Sequence, residues 1–162
     1  AQNASTWRGM ESLYRDGYVR AIGVCNFKPH HLEALGKTAE IQPMVNQIEV
    51  HPGMMQSDTT TCCAEKNICM DASSPLGNGQ ILSHELISTI AKSHDKTPAQ
   101  ICLRYAVEQG FVVIPKTSSS VRLAENMDIF VFSLTPDEKA SLSKMPYCGG
   151  VGIDPDEVTE FG

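Results

Sequence analysis

Four short apolar runs, each followed by a helical pattern, constrain this chain more than anything else in it. They are Ala21-Ile22-Gly23-Val24-Cys25, Met44-Val45-Asn46-Gln47-Ile48-Glu49, Ile68-Cys69-Met70-Asp71-Ala72 and Phe111-Val112-Val113-Ile114. Each is bounded by Gly, Pro or polar residues, as strands buried on both faces should be. Asp71 interrupts the third run, and the fourth is the clearest.

Helical patterns fill the intervals. Thr6 to Arg15 puts Trp7, Met10, Leu13 and Tyr14 near one face, and Asp16-Gly17 stops it. Lys28-Pro29 opens a helix carrying Leu32 and Leu35, and Ser57-Asp58 caps a segment ending near Lys66. Ser83 to His94 carries Leu86, Ile87, Ile90 and Ala91. Thr97-Pro98 is an N-cap with Pro at the first helical position, and the helix runs to the stop at Gly110. Ser120 starts another with Val121, Leu123 and Ala124, and Thr135-Pro136-Asp137-Glu138 repeats the cap-plus-Pro start. Strict strand–helix alternation predicts a parallel sheet of the α/β class. Residues 1–146 form the α/β body, and the Gly-rich, acidic residues 147–162 are expected to be an irregular surface tail.

The length of 162 residues fits one ordinary domain but falls short of the ~250 that a full eight-fold β/α barrel needs. A net charge of -6, with no basic stripe, argues against nucleic acid as a partner. No apolar stretch is long enough to span a bilayer. The start, Ala1-Gln2-Asn3-Ala4, has no basic region followed by an apolar one, so no secretory leader is expected, and it lacks Met, as a processed or excised chain would. The six cysteines form no C-x-x-C pair and no regular metal-ligand spacing. They read as reduced thiols of a cytoplasmic protein, with no metal site expected.

No G-x-G-x-x-G follows a strand, and there is no G-x-S-x-G elbow or Walker A loop. The polar residues of interest lie at or just past strand ends, where parallel β/α folds bind ligands. They are Cys25-Asn26, Asn46-Gln47 with Glu49, Ser73-Ser74, and Lys116-Thr117-Ser118-Ser119-Ser120. The last group joins a lysine to a helix start with Arg122 in its first turn, a pattern suited to phosphate.

At these residues the chain closely resembles the aldo-keto reductases, NADP-dependent carbonyl reductases folded as eight-stranded β/α barrels. The stretches that carry the resemblance are Gly17 to Phe27, Val45 to Pro52, Ser74-Pro75-Leu76-Gly77, Thr97-Pro98-Ala99-Gln100 with Leu103-Arg104-Tyr105, and Val113 to Thr117 with Arg122 and Glu125-Asn126. They occur in family order and at family spacing, from about Thr6 to the tail, in the style of microbial small-carbonyl reductases. The resemblance implies a TIM half-barrel, the C-terminal one, of about four parallel strands with flanking helices.

The resemblance also implies a surface for NADP(H). Asn26 and Gln47 would bond the nicotinamide carboxamide, with Cys25 where the family usually has Ser. Ser74, Leu76 and Asn78 would line the pyrophosphate. Lys116, Thr117 and Arg122 would hold the adenosine 2′-phosphate, and Glu125 and Asn126 would contact the adenine. Ser73 stands where the family places an aromatic ring on the nicotinamide.

The catalytic Asp, Tyr, Lys and His of the family belong to its first half, so no catalytic residue is assigned. His51-Pro52 matches a different family position. The expected function is the cofactor-binding half of an NADPH-dependent carbonyl reductase, inactive alone, whose complete barrel would take small carbonyl substrates. Two alternatives stand beside it: a non-catalytic dinucleotide-binding or interaction module, and a half-barrel that self-associates through open sheet edges.

Overall fold

The computed structural model describes residues 2–152 and 154–157. Residue 153 and residues 158–162, which belong to the expected tail, lie outside the described residues. The chain divides into two compact units: Ala1–Ile48, Gln56–Met70 and Pro155–Gly162 in the first, Glu49–Met55 and Asp71–Asp154 in the second.

In the first unit, α1 (Gln2–Arg15) packs Trp7, with Met10 and Tyr14, against Ile22 and Leu35. Leu13 is not part of that face and stands exposed. The spacing of Trp7, Met10 and Tyr14 marks one helical stripe, and Leu13 falls off its side. Trp7 Nε1 donates to Ile41 O at 2.9 Å. Buried Glu11 accepts the Glu40 and Ile41 amides at 2.8 Å each.

Strands β1 (Gly23–Cys25) and β2 (Val45–Glu49) pair in parallel, Gly23 opposite Val45 and Cys25 opposite Gln47. A Cβ on Gly23 would sit 2.7 Å from Val45 O, so only glycine allows the pair to close. Helices α2 (Pro29–Gly36) and α3 (Ser57–Glu65) pack together. The N-cap of α3 is Gln56 in a left-handed conformation (φ 50°) rather than Ser57, and Asp58 lies in the first turn.

Strand β3 (Cys69–Ser73) begins in the first unit and ends in the second, where Asp71 and Ala72 pair in parallel with Val112 and Val113 of β4 (Val112–Val113). A 3-10 segment, Gly77–Ser83, leads to α4 (Glu85–Ser93), which starts at a His84 cap. Helix α5 (Pro98–Glu108) opens on a Thr97–Gln100 capping box, and α7 (Pro136–Ser143) opens on a Thr135–Glu138 box. Between them lies α6 (Ser120–Met127), capped by the Ser119 hydroxyl. The core of this unit joins Ile81, Ile87, Ile90, Ile101, Tyr105, Leu134 and Leu142. Residues 147–152 and 154–157 contain no helix or strand.

Two further expectations need correction. The strands are not buried on both faces: Val112 and Ile114 are 49% and 46% exposed, and Cys25 is exposed, while Ile48, Met70 and Ala72 are buried. The alternation is that of strands with one buried side and one more open side. The apolar residues of α6 do not enter a core either: Val121 and Leu123 are exposed, and α6 buries none of its residues.

Candidate functional site

The second unit contains a cleft of about 730 Å³. Nine of the twelve residues marked in the sequence line it: Ser73, Ser74, Leu76, Asn78, Lys116, Thr117, Arg122, Glu125 and Asn126. The parallel pairing of β3 and β4 explains this convergence. It sets Ala72 beside Val113, so the segments that leave the two carboxyl ends share one rim.

The floor after β3 is held by backbone in uncommon conformations. Ser74 and Asn78 have φ of 46° and 53°. Gly77 N donates to Ser74 O, and Gly79 N to Leu76 O, both at 2.8 Å. A Cβ on Gly77 would lie 2.9 Å from the Ile81 side chain, so this turn is closed tightly on the core. On the opposite rim, Thr117 Oγ1 accepts the Ser119 amide at 3.1 Å and the Ser119 hydroxyl accepts the Arg122 amide at 3.4 Å. These two bonds fix the entry into α6 and place Lys116 and Arg122 around a helix N-terminus, where partial positive charge adds to theirs. Lys116 and Arg122 are both exposed. The cleft can therefore receive a phosphorylated ligand, with half-buried Glu125 and Asn126 supplying further polar contacts.

Sequence reasoning missed the α5 side of the cleft, where Thr97, Pro98 and Ala99 line it. The cap-plus-Pro pattern identified a helix start there but not its proximity to Lys116.

The first unit holds the other three marked residues. The Cys25 thiol donates to Gln47 Oε1 across 3.9 Å. Asn26 is left-handed (φ 57°), and its amide donates to Gln47 O at 2.8 Å. Asn46, on the opposite side of β2 from Gln47, is fully buried and clamps the next residue: its Nδ2 donates to Phe27 O at 2.8 Å and its Oδ1 accepts the Phe27 amide at 3.3 Å. Burial pushes the neighbouring Cys63 thiol up, partly offset by a bond from Asn46.

No tyrosine stands at a strand end. Tyr14 lies in α1, Tyr18 in the turn after it, Tyr105 in α5 and Tyr147 in the tail. Tyr105 is buried, and burial pushes its hydroxyl up. His51 is also buried, with Nδ1 2.9 Å from Pro52 O and Nε2 3.4 Å from Glu49 Oε1. Glu49 in turn accepts the amides of Val151 and Gly152, at 2.7 and 3.0 Å. This carboxylate holds a tail segment, a role its strand-end position did not reveal.

These features meet a known pattern. The profile of the Aldo/keto reductase family matches residues 3–145, and the chain belongs to that family. It is 45% identical to the glyoxal reductase of Bacillus subtilis (strain 168) over 94% of this chain and 55% of that relative. It is 42% identical to the 9,11-endoperoxide prostaglandin H2 reductase of Trypanosoma cruzi (strain CL Brener), over 93% and 54% respectively. Among solved structures, a Gox0644 mutant in complex with NADPH superposes with a TM-score of 0.92 at 38% identity, covering 98% of this chain and 58% of the other. The chain spans about half the length of the curated relatives it matches. Its parallel strands and flanking helices correspond to half of the family's β/α barrel.

Proposed function

We propose that this chain is the C-terminal, NADP(H)-binding half of an aldo-keto reductase that reduces small aldehydes or ketones to alcohols. The observation that carries the reading is the second unit's cleft, where Lys116 and Arg122 flank a capped helix N-terminus. Two cations and a helix start suit a phosphate dianion such as the adenosine 2′-phosphate. Ser74, Leu76 and Asn78 would then lie along the pyrophosphate, with Thr117 beside the 2′-phosphate and Glu125 and Asn126 toward the adenine. In the first unit, Asn26 and Gln47 would bond the carboxamide with Cys25 beside them, and Ser73 of the second unit would lie at the nicotinamide end. Bound NADPH would supply the hydride for reduction of a carbonyl. The chain's own part is to hold and orient it.

No residue of this chain is proposed as proton donor, and the chain alone is proposed to be inactive. The test is a fluorescence titration with NADPH and NADH. NADPH is expected to bind more tightly, and no binding at millimolar NADPH would sink the reading.

A second reading has its own observation. The exposed Val112 and Ile114 leave apolar strand surface in water, which favours self-association. Sedimentation of the purified chain decides this: a stable dimer supports it, and a monomer at all concentrations removes it.

A further inference from the structure

The segment after β1 is gripped from the C-terminal tail. Lys28 Nζ donates to Asp156 Oδ2 at 2.7 Å. The Nε2 atoms of His30 and His31 lie 2.9 and 3.3 Å from Asp156 Oδ1. The two imidazole centroids are 4.0 Å apart. Three nitrogen groups from the N-cap and first turn of α2 thus meet one carboxylate, across 125 to 128 positions of sequence.

Two histidines and a carboxylate are also a metal-ligand set, with one donor atom of each within 4.8 Å of the others. The hydrogen bonding argues against that use. The Lys28 amide donates to His31 Nδ1 at 3.1 Å, so the ring proton of neutral His31 sits on Nε2, the atom 3.3 Å from Asp156 Oδ1. A metal-binding Nε2 must be bare, with the proton on Nδ1 and an acceptor beyond it. Here Nδ1 faces a donor. The Lys28 ammonium on the same carboxylate also opposes a cation. The cluster is built as a seat of donors for a carboxylate.

What the seat immobilises is the short segment Asn26-Phe27-Lys28. Asn26 is bonded to Gln47, Phe27 is clamped by Asn46, and Lys28 is held by both Asp156 and His31. We propose that Asp156 is a positioning residue: by locking Lys28 and His31 it keeps Asn26 in its left-handed conformation, and so sets how long a dinucleotide stays bound. The last clause rests on the reading of Asn26 as a carboxamide contact.

The experiment uses the 162-residue chain and its Asp156→Ala, Asp156→Asn and Asp156→Glu variants. The first readout needs no cofactor: amide hydrogen exchange at Asn26, Phe27 and Lys28 should rise about tenfold in Asp156→Ala, and less in Asp156→Glu. The second is NADPH dissociation by stopped flow, expected to be about three- to tenfold faster in Asp156→Ala and restored in part by Asp156→Glu. Unchanged exchange would overturn the proposal, as would raised exchange with unchanged dissociation. If the unsubstituted chain binds no NADPH, the proposed function fails, and with it the residence clause, while exchange still decides the positioning claim. A zinc titration showing micromolar binding that His31→Ala abolishes would overturn the donor-seat assignment.

Discussion

Asn46 holds Phe27 at both ends of its backbone unit, donating to its carbonyl at 2.8 Å and accepting its amide at 3.3 Å. The pair fixes the exit of β1, because Asn46 is itself fully buried on the neighbouring strand. Replacing Asn46 by Ala leaves a buried donor and acceptor without their partner, at a cost of about 2–3 kcal/mol. Asn46→Asp should cost more, since it sets a buried carboxylate against the Phe27 carbonyl. Urea denaturation measures both.

Lys116 and Arg122 should separate the two nicotinamide dinucleotides. Alanine at either position is expected to weaken NADPH binding by about ten- to a hundredfold, the loss of a charge-assisted contact. NADH, which lacks the 2′-phosphate, should be little affected. Parallel titrations of the two cofactors check this, and an equal loss for both would remove the 2′-phosphate assignment.

Ser73 lines the cleft at the end of β3 and is half-buried. An aromatic ring there would restore a stacking surface worth about 0.5–1.5 kcal/mol. Ser73→Tyr is therefore expected to tighten NADPH several-fold without changing the preference over NADH. Isothermal titration of the variant is the check.

Gly150 lies against the Glu49–His51 pair. A Cβ there would stand 2.5 Å from Glu49 Oε1 and 2.9 Å from His51 Nε2, and both side chains are buried. Gly150→Ala should cost about 1–3 kcal/mol and loosen the tail. Faster trypsin cleavage at Lys144 is the expected sign.

Acid should unfold the second unit partly through Glu108. Burial alone would raise its carboxyl, but Arg104, the Leu134 amide and Lys139 more than offset this and hold it below the usual range. Glu138 behaves alike: burial raises it, and His94 and the Thr135 amide lower it further. A depressed folded-state value contributes stability that is complete above the unfolded value of 4.5 and lost as pH falls through the folded one. Glu108→Gln is expected to cost about 2–3 kcal/mol at neutral pH and to flatten the acid limb of the stability curve. Thermal melts from pH 7 to pH 3 test it.

Local signals accounted for most of the fold. Thr97 with Gln100 and Thr135 with Glu138 are three residues apart, and that spacing alone makes a capping box. Parallel strands align their exits, so Ser73-Ser74 and Lys116-Thr117 had to meet, whereas Leu76, Asn78, Glu125 and Asn126 were marked only by the family resemblance. What the sequence could not show were contacts without a local period. The amides of Val151 and Gly152 reach Glu49 across 102 and 103 positions, and Asp156 reaches Lys28 across 128. Helical spacing located α1 and α6 but did not decide whether Leu13, Val121 or Leu123 would find anything to pack against.

Helix α6 buries no residue, yet it carries Arg122, the cation proposed to meet the phosphate. Its order rests on the Ser119 cap, backbone bonds and contact with α5 rather than on a hydrophobic anchor. A bound anion would act for this helix as core residues do for the others, so that occupancy of the cleft and rigidity of α6 rise together. Part of the binding energy would then be spent on order that a better-buried helix already has.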